Sequence, residues 1–142
     1  GRVTQIGSDD RLDARGRGVP RDVALLGDSL ENLWFGFQGF NGTVPTELSR
    51  LSKLEILELG WNKLSGKIPS ELGNLEKLWA LSLRENELTG TIPAELSRLS
   101  SLEILRLLGN KLTGAVPEEI CQLRIPNGAL QELKADCKEE VQ

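Results

Sequence analysis

The stretch ELSRLSKLEILELGWNKLSGKIP runs from Glu47 to Pro69, and ELSRLSSLEILRLLGNKLTGAVP runs from Glu95 to Pro117. The second is a near-copy of the first, displaced by 48 residues. Self-similarity at a fixed period is the mark of a repeat architecture. Here the period is 24: Gly42, Gly66, Gly90 and Gly114 keep it, as do Pro45, Pro69, Pro93 and Pro117, and Asn62, Asn86 and Asn110. Leucines hold register between them, at 54, 57, 59 and 64, at 78, 81, 83 and 88, and at 102, 105, 107 and 112. The unit reads LxxLxLxxNxLxGxIPxxLxxL.

Each part of that unit has a physical reading. Leu57-Glu58-Leu59 alternates apolar and polar side chains, the period of a half-buried strand. One such strand cannot bury itself, but stacked copies form a continuous leucine core. Asn62 is polar at an inward position, so it must hydrogen-bond its surroundings, and an Asn in every unit can satisfy the neighbouring turn as a ladder. Gly66 suits a tight turn. Pro69 opens a short helical or 3₁₀ return in which Leu72 and Leu75 lie three apart. A strand on one side and a wider return on the other make a wedge, and stacked wedges curve with their strands on the concave face.

These residues carry a resemblance to the leucine-rich repeat family, and the LxGxIP half resembles its plant-type subclass, found in extracellular receptor-kinase ectodomains and polygalacturonase-inhibiting proteins. The expected fold is α/β: a right-handed solenoid of about five to six units, with a parallel β-sheet on the concave face and short 3₁₀ or helical returns on the convex side. The good register covers about Leu30 to Leu123.

The ends are less regular. Leu30, Leu33, Phe35 and Phe40 take leucine positions, and Gln38 replaces the ladder Asn. Val19-Pro20 matches the later IP, with Val23 and Leu26 in step, before one extra residue shifts Leu30. Earlier still, only Val3, Ile6 and Leu12 offer core side chains. The division expected is a single domain over 1–142: a degenerate first repeat at 1–20, regular repeats at 21–120, and a C-terminal cap and tail at 121–142. The family usually begins with a cap bearing a cysteine pair, which is absent here, so missing sequence or a partner subunit is expected to cover the N-terminal end. Near the other end Leu130, Leu133 and Ala135 resume LxxLxL spacing and read as a last strand, with Cys121 bridged to Cys137. The same spacing also suits a terminal helix.

The bulk numbers exclude several functions. No run of about 18 apolar residues exists to span a membrane. A net charge of −4 gives no concentrated basic face for nucleic acid. The absence of histidine removes Ser-His-Asp and Cys-His catalysis and His-based metal clusters. Asp9, Asp10 and Asp13 lie among Arg11, Arg15 and Arg17, a poor setting for calcium and a good one for a self-paired loop. Catalytic residues, metals and cofactors are therefore not expected. Gly1, without an initiator Met or a targeting signal, suggests a processed chain or an excised fragment. Asn41-Gly42-Thr43 is a glycosylation sequon. With the cysteine pair it points toward the secretory route.

Function is expected on the concave face, whose outward columns flank the strand leucines. They are Asn32, Ile56, Ala80 and Ile104; Trp34, Glu58, Ser82 and Arg106; Gly36, Gly60, Arg84 and Leu108; and Phe37, Trp61, Glu85 and Gly109. The candidate partner surface is Trp34, Phe37, Glu58, Trp61, Arg84, Glu85, Arg106 and Leu108. Tryptophan is a frequent hot spot and exposed apolar patches mark interaction sites. The other reading is that the rings stack together and shield one end of the solenoid, and that the charges are a solvated face. Trp79 fits either the rim or a packed site. Three roles follow: a module binding a protein or peptide, with a glycan as a further class; a structural subunit of a larger complex; or the repeat region of a multidomain signalling protein.

Overall fold

The computed structural model describes residues 4–7, 16–123 and 130–134. Strands of two to four residues alternate with short returns. They are β1 (Gln5–Gly7), β2 (Asn32–Trp34), β3 (Ile56–Glu58), β4 (Ser65–Lys67), β5 (Ala80–Ser82), β6 (Glu87–Gly90), β7 (Ile104–Arg106), β8 (Lys111–Leu112) and β9 (Glu132–Lys134). A six-stranded sheet runs β1-β2-β3-β5-β7-β9, with all its pairs parallel. Its central register aligns Ile6, Leu33, Leu57, Leu81, Leu105 and Leu133. Leu33, Leu57, Leu81 and Leu105 are fully buried, and Ile6 and Leu133 pack against the same core. The right-handed solenoid expected of the repeats is the fold observed.

The convex side is built from 3₁₀ segments at Arg21–Ser29, Thr46–Arg50, Ser70–Asn74 and Ala94–Arg98, and from helix α1 (Glu118–Gln122). Each follows a proline, such as Pro69 at φ −65° and ψ 127°. The ring presets φ, and the missing N–H costs nothing at the start of a helix. Leu48, Leu72, Leu96 and Ile120 turn inward one turn later and are completely buried.

The asparagine ladder is present. The Asn62 side-chain oxygen accepts from the N–H groups of Gln38 (3.1 Å) and Phe40 (3.0 Å), and its Nδ2 donates to the carbonyls of Phe35 and Leu59. Asn86 accepts from Leu64 and Asn110 accepts from Leu88. Gln38 imitates part of the pattern: its amide donates to the Gly36 carbonyl, while its buried Oε1 has no partner among the described residues.

Three features go beyond the sequence expectation. Gly66, expected only to make a tight turn, lies within a second parallel sheet, β4-β6-β8. The glycine still takes the left-handed conformation, as do Gly90 and Gly114 (φ 77°, 79° and 82°). A side chain there would also crowd the preceding repeat, since a Cβ on Gly66 would stand 3.1 Å from Thr43 Cγ2. The extra residue before Leu30 is absorbed at Gly27 (φ 47°, ψ −120°), which interrupts the Arg21–Ser29 segment and leaves Leu25 82% exposed. The N-terminal stretch, expected to be degenerate, contributes a full edge strand: β1 pairs with β2 across Gln5–Gly7. Val3 and Leu12 lie outside the described residues.

At the C-terminal end the strand reading holds and the helix reading does not, for Glu132–Lys134 pair with β7. The N–H groups of Gln131 and Glu132 donate to the Glu103 carbonyl, repeating the link between earlier repeats. Cys121 on α1 is exposed and forms no disulfide among the described residues; Cys137 and Ala135, and with them the expected Cys121–Cys137 bridge, lie outside the described residues.

Candidate functional site

The concave sheet displays two side chains per strand, and the register puts Trp34, Glu58, Ser82 and Arg106 in one row. Beyond the strands the chain stays hydrogen-bonded between repeats. The N–H groups of Phe37, Trp61 and Glu85 donate to the carbonyls of Gly60, Arg84 and Leu108 at 3.1, 2.9 and 2.8 Å. These three donors share the left-handed conformation, with φ of 60°, 58° and 53°, and Gly109 completes their row at 73°. A bulky residue at positive φ is uncommon and costs of the order of 1–2 kcal/mol. Phe37 and Trp61 are thus held in a conformation that glycine would adopt freely. The turn into each ladder position imposes it.

The aromatic side chains come together only in part. Phe37 and Trp61 stack at 5.3 Å between centroids with an 8° interplanar angle. The Arg84 guanidinium sits 5.9 Å from the Trp61 ring centroid, in cation–π range. Stacking between the rings, one of the two sequence readings, is therefore real, yet it leaves apolar surface in water. Phe37 is 70% exposed and Trp61 43%, with Trp34 40% exposed nearby. An open cleft of about 690 Å³ lies against this cluster, lined by Trp34, Phe37, Glu58 and Arg84 of the expected surface, with Gln5, Gly7 and Gly36.

Each charged candidate has a defined setting. Glu58 Oε1 accepts from the Gly60 N–H at 2.7 Å. Arg84 Nε is buried and has no hydrogen-bond partner among the described residues. Arg106 donates two bonds of 3.0 Å to the Glu132 carboxylate. That pairing raises its guanidinium above the ordinary arginine value, and the side chain is already engaged within the face. Glu85 and Leu108 are exposed, but neither lines the cleft beside Trp34.

The sequence reading missed Gln5 and Gly7 as cleft residues. Ile6 lies 27 residues before Leu33, off the 24-residue step, so its strand lacked the periodic signal. Trp79 is half-buried and lines a smaller depression with Trp34, so it lies on the concave face rather than wholly within the core. Asn41 is exposed; its N–H donates to the Arg17 carbonyl. Among the described residues no group of three or more His, Cys, Asp or Glu side chains could hold a metal, and no helix is long and apolar enough to cross a membrane. Asp9, Asp10 and Asp13 lie outside the described residues.

The family model for the Leucine Rich Repeat matches residues 53–75, 77–99 and 101–123. The chain belongs to the leucine-rich repeat family. No curated protein sequence matches it. Among solved structures it is similar to the BIR3–SERK2 complex from Arabidopsis thaliana, with 33% identity, a TM-score of 0.72, and coverage of 86% of this chain and 63% of that one. The plant peptide hormone receptor RGFR1, solved in complex with RGF2, gives 34% identity and a TM-score of 0.72 over 85% of this chain and 23% of its own. A plant ice-binding protein gives 30% identity and a TM-score of 0.73 over 84% of this chain and 45% of its own. This leucine-rich repeat chain thus spans less than two thirds of each of these. Neighbours with such different ligands mean that the fold alone does not choose one.

Proposed function

We propose that this leucine-rich repeat chain is a non-catalytic recognition module that binds an extended peptide or protein segment on its concave face. The carrying observation is the cleft beside Trp34 and Phe37, where exposed rings stand next to Glu58 and to the unpaired Nε of Arg84. Aromatic anchors supply contact area with few torsions to immobilise, and flanking charges of both signs set register more than affinity. The similar structures that contain a peptide hormone or a second receptor protein support the same reading. It places the chain outside the cell or on the secretory route. There Asn41 is an exposed glycan acceptor, and the exposed Cys121 is available to Cys137.

The test is selection of a displayed random peptide library on the immobilised chain. Recovered peptides should lose about tenfold or more in affinity with Trp34→Ala or Trp61→Ala, the range of a hot-spot truncation. Leu25→Ala, on the convex side, should leave binding unchanged. Peptides indifferent to both tryptophan substitutions, or no peptides at all, would overturn the proposal.

A further inference from the structure

The middle of the concave face holds a small built pocket. Strand β5 directs Ala80 and Ser82 outward, where its neighbours β3 and β7 direct Ile56 with Glu58 and Ile104 with Arg106. Two small side chains between four larger ones leave a depression of about 110 Å³. Its walls include Trp34, Ile56, Trp79 and Ile104.

At its floor lies Ser82, only 6% exposed, with an Oγ that has no hydrogen-bond partner among the described residues. Buried hydroxyls are normally paired, because leaving one unpaired forfeits its hydration without return. The two charged side chains beside it in the same row are committed elsewhere. Glu58 Oε1 accepts from the Gly60 N–H at 2.7 Å, and Arg106 holds Glu132 through two bonds of 3.0 Å. Neither satisfies the serine.

We infer that this depression receives one compact, neutral, hydroxyl-bearing side chain of threonine's size, presented by an extended peptide partner. The inference rests on the peptide-recognition reading and specifies one residue of the ligand. Size excludes an aromatic ring, since the space is smaller than the roughly 150 Å³ cavity known to hold benzene. Glu58 and Arg106 also line the depression: an anionic guest would meet the Glu58 carboxylate while Arg106 already holds Glu132, and the long stems of lysine and arginine exceed the space. A carboxamide brings more polar atoms than the single Ser82 hydroxyl can pair. A threonine-like guest sets its methyl against Ile56 and Ile104, and its hydroxyl exchanges one hydrogen bond with Ser82 Oγ.

The chain's three tryptophans supply the readout, because Trp34 and Trp79 line the depression and Trp61 does not. Protein labelled with ¹⁵N at the indoles is titrated with N-acetyl-threonine-methylamide and with its valine isostere. The threonine compound should shift the Trp34 and Trp79 resonances, leave Trp61 in place, and bind about two- to tenfold tighter than the valine compound, as one neutral hydrogen bond implies. Ser82→Ala should erase that preference while keeping valine binding, and Ser82→Thr, which fills the space, should abolish both. Equal or tighter valine binding to the native chain, a preference that survives Ser82→Ala, or no shift at Trp34 and Trp79 would overturn the inference. The parent reading fails separately. Library peptides that depend on Trp34 and Trp61 without a threonine preference would leave it standing, whereas a library without binders would remove it.

Discussion

Replacing Asn62 with alanine should destabilise the chain about twice as much as replacing Asn86, although both occupy the same ladder position and are equally buried, at 8% and 7% exposure. The difference lies in what each would leave unpaired. Asn86 donates to the carbonyls of Leu59, Leu83 and Arg84. Each of those acceptors has a second donor: Asn62 for Leu59, Asn110 for Leu83, and the Trp61 N–H for Arg84. Asn86→Ala therefore orphans one group, the Leu64 N–H that donates to its side-chain oxygen at 2.9 Å. Asn62→Ala orphans the N–H groups of Gln38 and Phe40, together with the Phe35 carbonyl that accepts from Nδ2 at 2.8 Å. At about 1–3 kcal/mol for each buried group left unpaired, with partial rescue by water, the expected losses are about 2 kcal/mol for Asn86→Ala and about 4 kcal/mol for Asn62→Ala. Urea unfolding followed by circular dichroism measures both from the midpoint at constant slope. Equal losses, or a larger loss at Asn86, would refute the counting of orphaned groups.

Four further outcomes are expected. Gly73→Ala should cost about 1–3 kcal/mol in the same unfolding assay, because the new Cβ would stand 2.3 Å from the Glu95 carbonyl oxygen of the next return, a backbone atom that cannot swing aside. Glu85→Gly should be neutral or stabilising by about 0.5 kcal/mol, since it relieves a φ of 53° while adding freedom to the unfolded chain, the two effects nearly offsetting. Glu47 is held below its ordinary carboxylate value first by hydrogen bonding to its own backbone and then by Arg21 and Arg50. Its contribution to stability is thus present above the unfolded-chain value and lost as pH falls through the lower folded value. Arg21→Ala should raise the Glu47 titration midpoint, read by carboxyl ¹³C NMR, without returning it to the unfolded value, because the backbone bond remains. Arg106→Ala should remove the two 3.0 Å bonds to Glu132 and cost about 0.5–1 kcal/mol in the urea assay, the range of a partly exposed ion pair.

The features legible in the sequence are those that repeat. Leu33, Leu57, Leu81 and Leu105 recur at the same step, and stacking demands that they do, so the core and the concave sheet could be placed before any coordinates. The ladder was legible because a polar residue at an inward position has few ways to be satisfied. What escaped reading has physical causes of three kinds. The second sheet hides behind Gly66, Gly90 and Gly114, where one glycine serves both as a left-handed corner and as a contact with the preceding repeat. β1 was hidden because an insertion between Ile6 and Leu33 takes it off the period. The Arg106–Glu132 pair was invisible because extra residues break the 24-residue step before Glu132, and register across an insertion depends on three-dimensional pairing.

The row formed by Phe37, Trp61, Glu85 and Gly109 bears on the site itself. The corner before each ladder residue requires positive φ, and glycine meets that requirement in the last of the four. Scaffold stability alone would favour glycine or asparagine throughout the row, since each bulky residue there carries a backbone cost of the order of 1–2 kcal/mol. Only part of that cost returns through the Phe37–Trp61 stack, because aromatic pairs contribute about 0.5–1.5 kcal/mol beyond their burial and Phe37 remains 70% exposed. The same positive φ is not seen at the outward strand residues, where side-chain identity changes freely between repeats without a conformational cost. Phe37→Gly and Trp61→Gly together should therefore leave the chain folded, with a change in unfolding free energy within about 1 kcal/mol of zero as strain relief offsets the lost stack. The same double substitution should abolish capture of library peptides. Loss of more than about 3 kcal/mol with peptide binding intact would make the stacked rings a structural clamp, and the aromatic end of the concave face would then have to be removed from the proposed binding surface.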